Sequence, residues 1–441
     1  MSFDVIIGLG QTGISCARFL QRCGRDFIVM DSRPNPPALS AFQKDFSHAP
    51  VYHGFDIELL TKADRLIVSP GVSLQHPEIQ LARAQGVTVL GDIALFVEHN
   101  TAPVIAISGS NGKSTVTTLL GEMITQAGFR CHLGGNIGIP ALDLLTQEKA
   151  DFVVLELSSF QLETTDALNA EAATVLNLSA DHMDRYTGLD DYGAAKKKIF
   201  RGVSTAVLNR QDKGVVSMLP LSDAAVVTFG LDAPDTGQWG VVGDRITYEG
   251  SHLMAINELK LPGLHHVENA LAALALGHAI GLPHQAMLTT LKKFSGLSHR
   301  TQQVMEWQGV CWINDSKGTN VGATLAAVRG VDSTIRGKVV LIAGGEGKGA
   351  NFSPLLRLIE NLRAVVVIGR DGPTIGELFV REGVNVIPAS TMTEAVLVAA
   401  RLANQGDAVL LSPACASFDW YRNFSERGDH FIEQVLAYAK T

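Results

Sequence analysis

The sequence predicts an α/β protein in three domains. The first and last are Rossmann-like, and the middle one is P-loop ATPase-like, with a mostly parallel sheet plus a small β-hairpin sheet. Three observations carry that expectation. The chain has 441 residues, more than one hydrophobic core of ordinary size holds. Short apolar runs alternate with segments of helical spacing along most of its length, the pattern of parallel strands joined by right-handed crossovers. Its composition, 46% hydrophobic and 18% charged with 43 glycines, is that of a glycine-rich folded protein, far from the disordered class.

In residues 1–93 the runs VIIG, FIVMD, RLIVSPG and VTVLGD alternate with helical segments at Ile14–Cys23 and Pro77–Gln85. The first run enters Gly8-x-Gly10-x-x-Gly13, and Asp31 closes the second. Glycines at that spacing allow a tight turn and close backbone approach to a pyrophosphate, and the acid is placed for a ribose. The same turn serves any βαβ unit that needs close strand–helix packing, and alone it fits an NAD-dependent oxidoreductase equally well.

A polar break, EHNTAPV, precedes the second domain, residues 94–298, which opens with VIAISGSNGKSTVTTLLGEMITQAG. The runs FVVLELSS, TVLNLS, TAVLNR and AAVVTFG follow, then short alternating pieces between about 230 and 262 that read as hairpins, then an Ala/Leu-rich helix at Val267–Ile280. In residues 299–441 the runs GVCWINDSK, KVVLIAGGEG, AVVVIGRDG, VNVIPAS and DAVLLSPACAS again alternate with helices.

A formal net charge of −8 and a pI near 5.9 argue against a nucleic-acid partner, since such proteins present a basic face. Five cysteines without a CxxC pair indicate neither a zinc knuckle nor a disulfide framework. No apolar run reaches the ~18 residues of a membrane span, and MSFDVIIGLG lacks a basic leader. A reducing cytoplasm without a membrane partner is therefore expected.

The strongest motif is Gly109-Ser-Asn-Gly112-Lys113-Ser114-Thr115 between a strand and a helix. Its backbone N–H groups and the helix N-terminus suit phosphate oxygens, Lys113 adds a point charge, and Ser114 can reach Mg²⁺. The strict P-loop pattern would need a glycine where Ile107 stands. Glu156 ends an apolar strand, where a carboxylate is costly unless paired or metal-bound. Asp181-His182-Met183-Asp184 follows the next strand and reads either as a ligand loop or as a polar, capped turn. In GAAKKKIF nothing in the residues distinguishes Lys196 from Lys197 and Lys198. Gly134-Gly135-Asn136-Ile137-Gly138 is a turn whose Asn136 suits a carboxyl or amide edge. In the third domain His299-Arg300, NDSKGTN, GGEGK and SPACAS each lie near strand ends, where open α/β sheets bind ligands. Arg300, Lys317 and Lys348 imply an anionic ligand, and Cys415, without a paired histidine, reads as structural.

The ordered phrases GLGQTG, SPG, GSNGKST, GGNIG, LELSSFQLE, DHMDRY, NDSKGTN, GGEGKGANFSPL and LLSPACASFDWYRNFSERG resemble the Mur ligases over essentially the whole chain. Within that family the likeness is to the branch that joins D-glutamate to UDP-N-acetylmuramoyl-L-alanine (UDP-MurNAc-L-Ala) with ATP and two Mg²⁺, in cytoplasmic peptidoglycan precursor synthesis. The resemblance implies a monomer acting on small molecules. It also implies that Gly109, Ser110, Asn111, Gly112, Lys113, Ser114 and Thr115 bind ATP, with Lys113 and Thr115 on its phosphates. Asn269, Arg300, Asp315 and Lys317 would address the rest of ATP. It further implies metal ligation by Ser114, Glu156, His182 and a carbamylated Lys196, with Lys113, Glu156, His182 and Lys196 as the catalytic set. Gln11, Thr12, Asp31, Ser32, Arg33 and Gly71 would line the UDP site, and Asn136 with His182 the muramoyl-alanyl end. Thr319, Lys348, Ser417 and Phe424 would surround D-glutamate.

Overall fold

The computed structural model describes residues 2–219, 224–261 and 263–440, and among them the backbone forms three sheets. The first contains β1 (Asp4–Ile7), β2 (Phe27–Asp31), β3 (Val51–His53), β4 (Arg65–Val68) and β5 (Thr88–Leu90), ordered β3-β2-β1-β4-β5 with every pair parallel. The strand order reverses at β1, the position where doubly wound sheets open a ligand crevice. The helix Gln11–Arg22 starts directly after the glycine turn, a little earlier than the apolar spacing indicates, because its first turn is polar.

Two glycines make that turn possible. Gly8 has φ +94°, and a Cβ on Gly13 would lie 2.3 Å from the Gly8 carbonyl oxygen. The helix can approach the strand this closely only without side chains there.

The second sheet contains β6 (Val104–Ser108), β7 (Cys131–Gly135), β8 (Phe152–Glu156), β9 (Ala172–Val175), β10 (Thr205–Asn209), β11 (Ala225–Phe229), β12 (Trp239–Val242), β13 (Arg245–Tyr248) and β14 (Ser251–Ala255). Their order is β14-β13-β12-β11-β10-β9-β6-β8-β7. The expected hairpins are β12–β14. They extend the parallel sheet through the single pair Phe229–Trp239, so the hairpin sheet is continuous with the rest. Strand β6 lies between β8 and β9, which sets the glycine-rich loop after β6 between Glu156 at the end of β8 and the polar loop after β9. The Ala/Leu-rich helix runs Leu264–Ala279 and is buried along most of its length.

The third sheet contains β15 (Gln302–Trp307), β16 (Val310–Asn314), β17 (Val339–Gly344), β18 (Leu362–Ile368), β19 (Val386–Pro388) and β20 (Ala408–Leu411), ordered β15-β16-β20-β17-β18-β19. Only the β15–β16 pair is antiparallel. NDSKGTN, GGEGK and SPACAS leave the same ends of β16, β17 and β20, which are neighbours in space though distant in sequence.

The first two sheets share a core. Ile6, Leu9 and Phe19 pack in one cluster with Ile93, Phe96, Leu142 and Leu155. The helix Asp92–His99 spans residues 93 and 94, and Gln161 Nε2 donates to Asp92 at 3.3 Å. Gly13→Ala is expected to lower stability by about 1–3 kcal/mol, the usual cost of an overpacked contact, read as a lower urea midpoint. An unchanged midpoint would contradict the close approach of helix and strand.

Candidate active site

The loop after β6 is held open by its neighbour. Ser110 N donates to the Asn177 carbonyl at 3.0 Å, Asn111 N donates to Asn177 Oδ1 at 2.8 Å, and Asn177 Nδ2 donates to the Asn111 carbonyl at 3.1 Å. Gly109 and Gly112 take φ +144° and +83°, and the helix Lys113–Gln126 begins immediately after. Its first-turn N–H groups face the loop, an arrangement that binds phosphate. Lys113 Nζ curls over the loop to the carbonyls of Gly109 and Ser110, at 2.8 and 2.9 Å. Ser114 and Thr115 are buried beneath it. A Cβ on Gly112 would lie 2.4 Å from Asn269 Oδ1, so Asn269 rests directly on the loop.

Glu156 is buried beside this helix start. Asn136 Nδ2 donates to its Oε1 at 2.8 Å, while Oε2 is buried without a partner. Burial pushes the Glu156 carboxyl up, but the Lys113 charge and the bond from Asn136 outweigh that and hold it below its ordinary value. An ionised carboxylate oxygen left unpaired beside a serine hydroxyl suits a hard cation that takes its remaining ligands from phosphate and water. Among the described residues no group of three or more His, Cys, Asp or Glu side chains could hold a metal by itself.

The loop after β9 brings Asp181 and His182 to the same place. His182, at φ +57°, sits edge-on to Phe160 with ring centroids 4.8 Å apart, and burial holds its pKa below the usual value. Lys196, on the helix Leu189–Lys197, is only 1% exposed. Its Nζ donates to the Gly109 carbonyl at 3.0 Å and to Ser108 Oγ at 3.3 Å, 4.5 Å from the centre of the Tyr192 ring. Burial, reinforced by Lys113, drives it well below an ordinary lysine and favours the free amine. Lys197 is exposed and Lys198 half-buried. Three adjacent lysines thus differ by the face each occupies, a distinction the sequence does not carry.

From the third sheet, Arg300 reaches across to donate to Ser114 Oγ at 2.6 Å. His299 and Thr301, at φ +62° and +45°, flank it and turn it inward at some backbone cost. Ser412 Oγ and Thr301 N donate to Asp315 at 2.7 and 3.1 Å, and burial pushes its carboxyl up to about 6. Burial, with repulsion from Arg300, lowers Lys317 to about 8, and its Nζ lies 4.0 Å from the centre of the Phe424 ring. Lys348 Nζ is 3.9 Å from Asp181 Oδ1.

Two adjoining cavities result. One, of about 360 Å³, is lined by Ser110, Lys113, Asn136, Glu156, His182, Lys196, Thr319, Lys348, Ser417 and Phe424. The other, of about 310 Å³, is lined by Thr115, Asn269 and Asp315. Asn111, Gly112, Arg300 and Lys317 border both. The residues expected for UDP lie apart, at the end of the first sheet. There Arg33 Nε and Nη2 donate to Asp31 at 2.9 and 2.7 Å, and Leu9 N donates at 2.7 Å. Gln11, Ser32 and Gly71 are exposed and Thr12 half-buried. Arg185 links the two regions by donating to the carbonyls of Pro70 and Val72, on either side of Gly71, at 3.0 and 3.1 Å.

Sequence reasoning missed several residues of this site. Arg427 is buried and fastens the loop after β16 to that after β20, donating to Ser316 Oγ, the Ser316 carbonyl and the Cys415 carbonyl at 2.9, 2.7 and 3.1 Å. His266 borders the second cavity with both ring nitrogens buried and unpartnered, and burial lowers its pKa to about 3. Asp181, readable as a turn cap, accepts from His182 N at 2.9 Å and also gathers Asn320 and Lys348 from the third domain.

Three family descriptions match the chain in the order of its sheets: Mur ligase MurD-like N-terminal domain over residues 3–91, Mur ligase middle domain over 107–277, and Mur ligase glutamate ligase domain over 299–415. The chain is 51% identical over 439 residues to the UDP-N-acetylmuramoylalanine–D-glutamate ligase of Pseudomonas fluorescens strain Pf0-1, covering 98% of this chain and 97% of the relative. It belongs to the Mur ligase family. The enzyme of the same name from Nitrosococcus oceani is also 51% identical, over 98% and 96% of the two chains. Two more distant structures show the same fold. The UDP-N-acetylmuramate–alanine ligase of Thermotoga maritima gives a TM-score of 0.63 at 20% identity over 99% and 100% of the chains. MurF of Acinetobacter baumannii gives 0.63 at 17% identity over 98% and 91%.

Cys415 of this Mur ligase is buried, and burial pushes its thiol up to about 12, where it is a poor nucleophile. Exposed Cys23 is expected to react rapidly with an aromatic disulfide reagent while Cys415 stays unmodified, and Cys415→Ala keeps its turnover. Labelling of Cys415 in step with loss of activity would contradict a structural role.

Proposed function

We propose that this Mur ligase joins D-glutamate to UDP-MurNAc-L-Ala with ATP, as a cytoplasmic monomer. The near-full-length identity to ligases of that name supports the reading, and so does a cavity in which a phosphate loop faces cationic and hydroxyl side chains of the third sheet. Among the described residues no helix is long and apolar enough to cross a membrane.

The reaction has two steps. The alanyl carboxylate attacks the γ-phosphorus of ATP, forming an acyl phosphate and releasing ADP. The glutamate amine then adds to the acyl carbon, and the tetrahedral intermediate expels phosphate. Phosphoryl transfer of this kind needs positioning and charge neutralisation more than a protein nucleophile. Lys113, Arg300 and the N–H groups of Gly109–Thr115 hold the triphosphate. Asn269, Asp315 and Lys317 border the cavity assigned to the rest of the nucleotide. Asn136 and His182 position the alanyl end, and Thr319, Lys348, Ser417 and Phe424 receive D-glutamate, whose two carboxylates call for charged and hydroxyl donors. Bound Mg²⁺ would supply charge neutralisation on the phosphate oxygens, one ion at Ser114 and Glu156 and a second at His182 and Lys196.

Lys196 ligates through a carbamate. Its neutral amine attacks CO₂, a nitrogen–carbon bond forms as one carbon–oxygen π bond opens, and one proton leaves, which converts a neutral amine into an anionic, carboxylate-like donor. Gln11, Thr12, Asp31, Ser32, Arg33 and Gly71 bind UDP. An NAD-dependent reading of the first glycine turn fits less well, because the near-full-length identity is to ligases of UDP-linked substrates.

Phosphate release measured with ATP, UDP-MurNAc-L-Ala and a panel of amino acids, including both glutamate enantiomers, tests the reading. D-Glutamate alone should support turnover; turnover with another amino acid instead, or with none, would overturn it. Lys196→Ala should lose most activity, with partial rescue by small carboxylates, and an undiminished rate would refute the carbamate.

A further inference from the structure

Asn320, the last residue of NDSKGTN, has no role in the chemistry above, yet it is only 6% exposed and every polar atom of its amide is used. Its Oδ1 accepts from Ala323 N at 2.9 Å and caps the helix Val321–Asp332. Its Nδ2 leaves the third sheet altogether, donating to Asn111 Oδ1 at 3.1 Å in the phosphate loop and to Asp181 Oδ2 at 3.2 Å in the loop after β9. Asn111 Nδ2 in turn reaches Ser179 Oγ at 3.4 Å. The helix that Asn320 caps rests on the same seam. A Cβ on Gly322 would lie 3.0 Å from Ser179 Oγ and 3.4 Å from Asn111 Nδ2.

Asparagine satisfies all three demands because a short side chain here needs one acceptor for the helix and two N–H donors for the opposite domain. Aspartate caps as well but has no donor, and serine caps without the reach. Thr319 immediately precedes this amide, and Lys348 approaches the same Asp181 carboxylate.

We propose that Asn320 is a positioning residue that latches the domain carrying Thr319 and Lys348 onto the phosphate loop. Its amide sets the amino-acid subsite in register with the phosphate that the loop holds. The inference rests on the assignment of that subsite to D-glutamate.

The test compares wild type with Asn320→Asp and Asn320→Ser. Both variants keep a cap acceptor, so their melting temperatures should stay within about 2 °C of wild type. Two lost interdomain hydrogen bonds should lower kcat/KM for D-glutamate about tenfold or more, with KM for UDP-MurNAc-L-Ala within about twofold. Small-angle scattering of Asn320→Asp with a non-hydrolysable ATP analogue should give a larger radius of gyration than wild type. Wild-type kinetics and dimensions in both variants would overturn the proposal. So would an activity loss matched by a fall in melting temperature in both, which assigns Asn320 to the helix cap alone. If wild type itself fails to use D-glutamate, the substrate assignment is wrong, and the scattering comparison still decides the latch.

Discussion

The rest of the structure depends on the crowding of basic side chains, half-buried Lys113 and Arg300 and fully buried Lys196, around one phosphate loop. Lys113 folds over it, Arg300 arrives from the third sheet to bond Ser114, and Lys196 lies beneath at the Gly109 carbonyl. Burial disfavours the charge on each of these groups. Glu156 and Asp181 supply the countercharge, and one Glu156 oxygen is unpartnered. Such an assembly is stable only in part by itself, and a polyanion with its own cations supplies the missing compensation. On the proposed assignment of Arg300 and Lys317 to ATP, triphosphate binding and docking of the third domain would be coupled electrostatically, since both side chains come from across the cleft.

Sheet topology delivers these groups. Strand β6 lies at the reversal of strand order in the second sheet, so its loop is flanked by the strand carrying Glu156 and by the strand leading to Asp181 and His182. In the third sheet β16, β20 and β17 are adjacent, and their loops face the same cleft. Arg427 holds two of them together from inside, which leaves Ser417 and Phe424 on a rigid rim. The first sheet shares core residues with the second and is anchored again by Arg185 at the turn around Gly71. Its expected substrate residues therefore have a fixed bearing on the phosphate loop.

Much of this was legible in the sequence, because backbone geometry leaves marks there. The two glycine turns, the parallel strands and the hairpins at β12–β14 follow from spacing, and each site loop sits at a strand end as expected. What stayed hidden depends on burial. Lys196 differs from Lys197 only in the helix face it occupies, which no local pattern encodes. Arg427 lies in an amphipathic helix where a charged residue ordinarily faces water, and only the tertiary fold supplies its carbonyl partners. Asp181 reads as a turn cap and Asn320 as one member of a polar loop, and the bond between them needs two domains in contact. His266 sits in a helix buried nearly all round, where a histidine passes for filling.

Thermal unfolding of Arg300→Met beside wild type, with and without a non-hydrolysable ATP analogue, tests the electrostatic account most directly. If Arg300 is a half-buried cation awaiting phosphate, the nucleotide-free variant melts at or above the wild-type temperature, because an apolar side chain of similar length removes a partly desolvated charge. The stabilisation by nucleotide seen in wild type should disappear. A variant that melts lower without nucleotide, yet is stabilised by it as strongly as wild type, would contradict the claim that phosphate and closing domain meet through this cation.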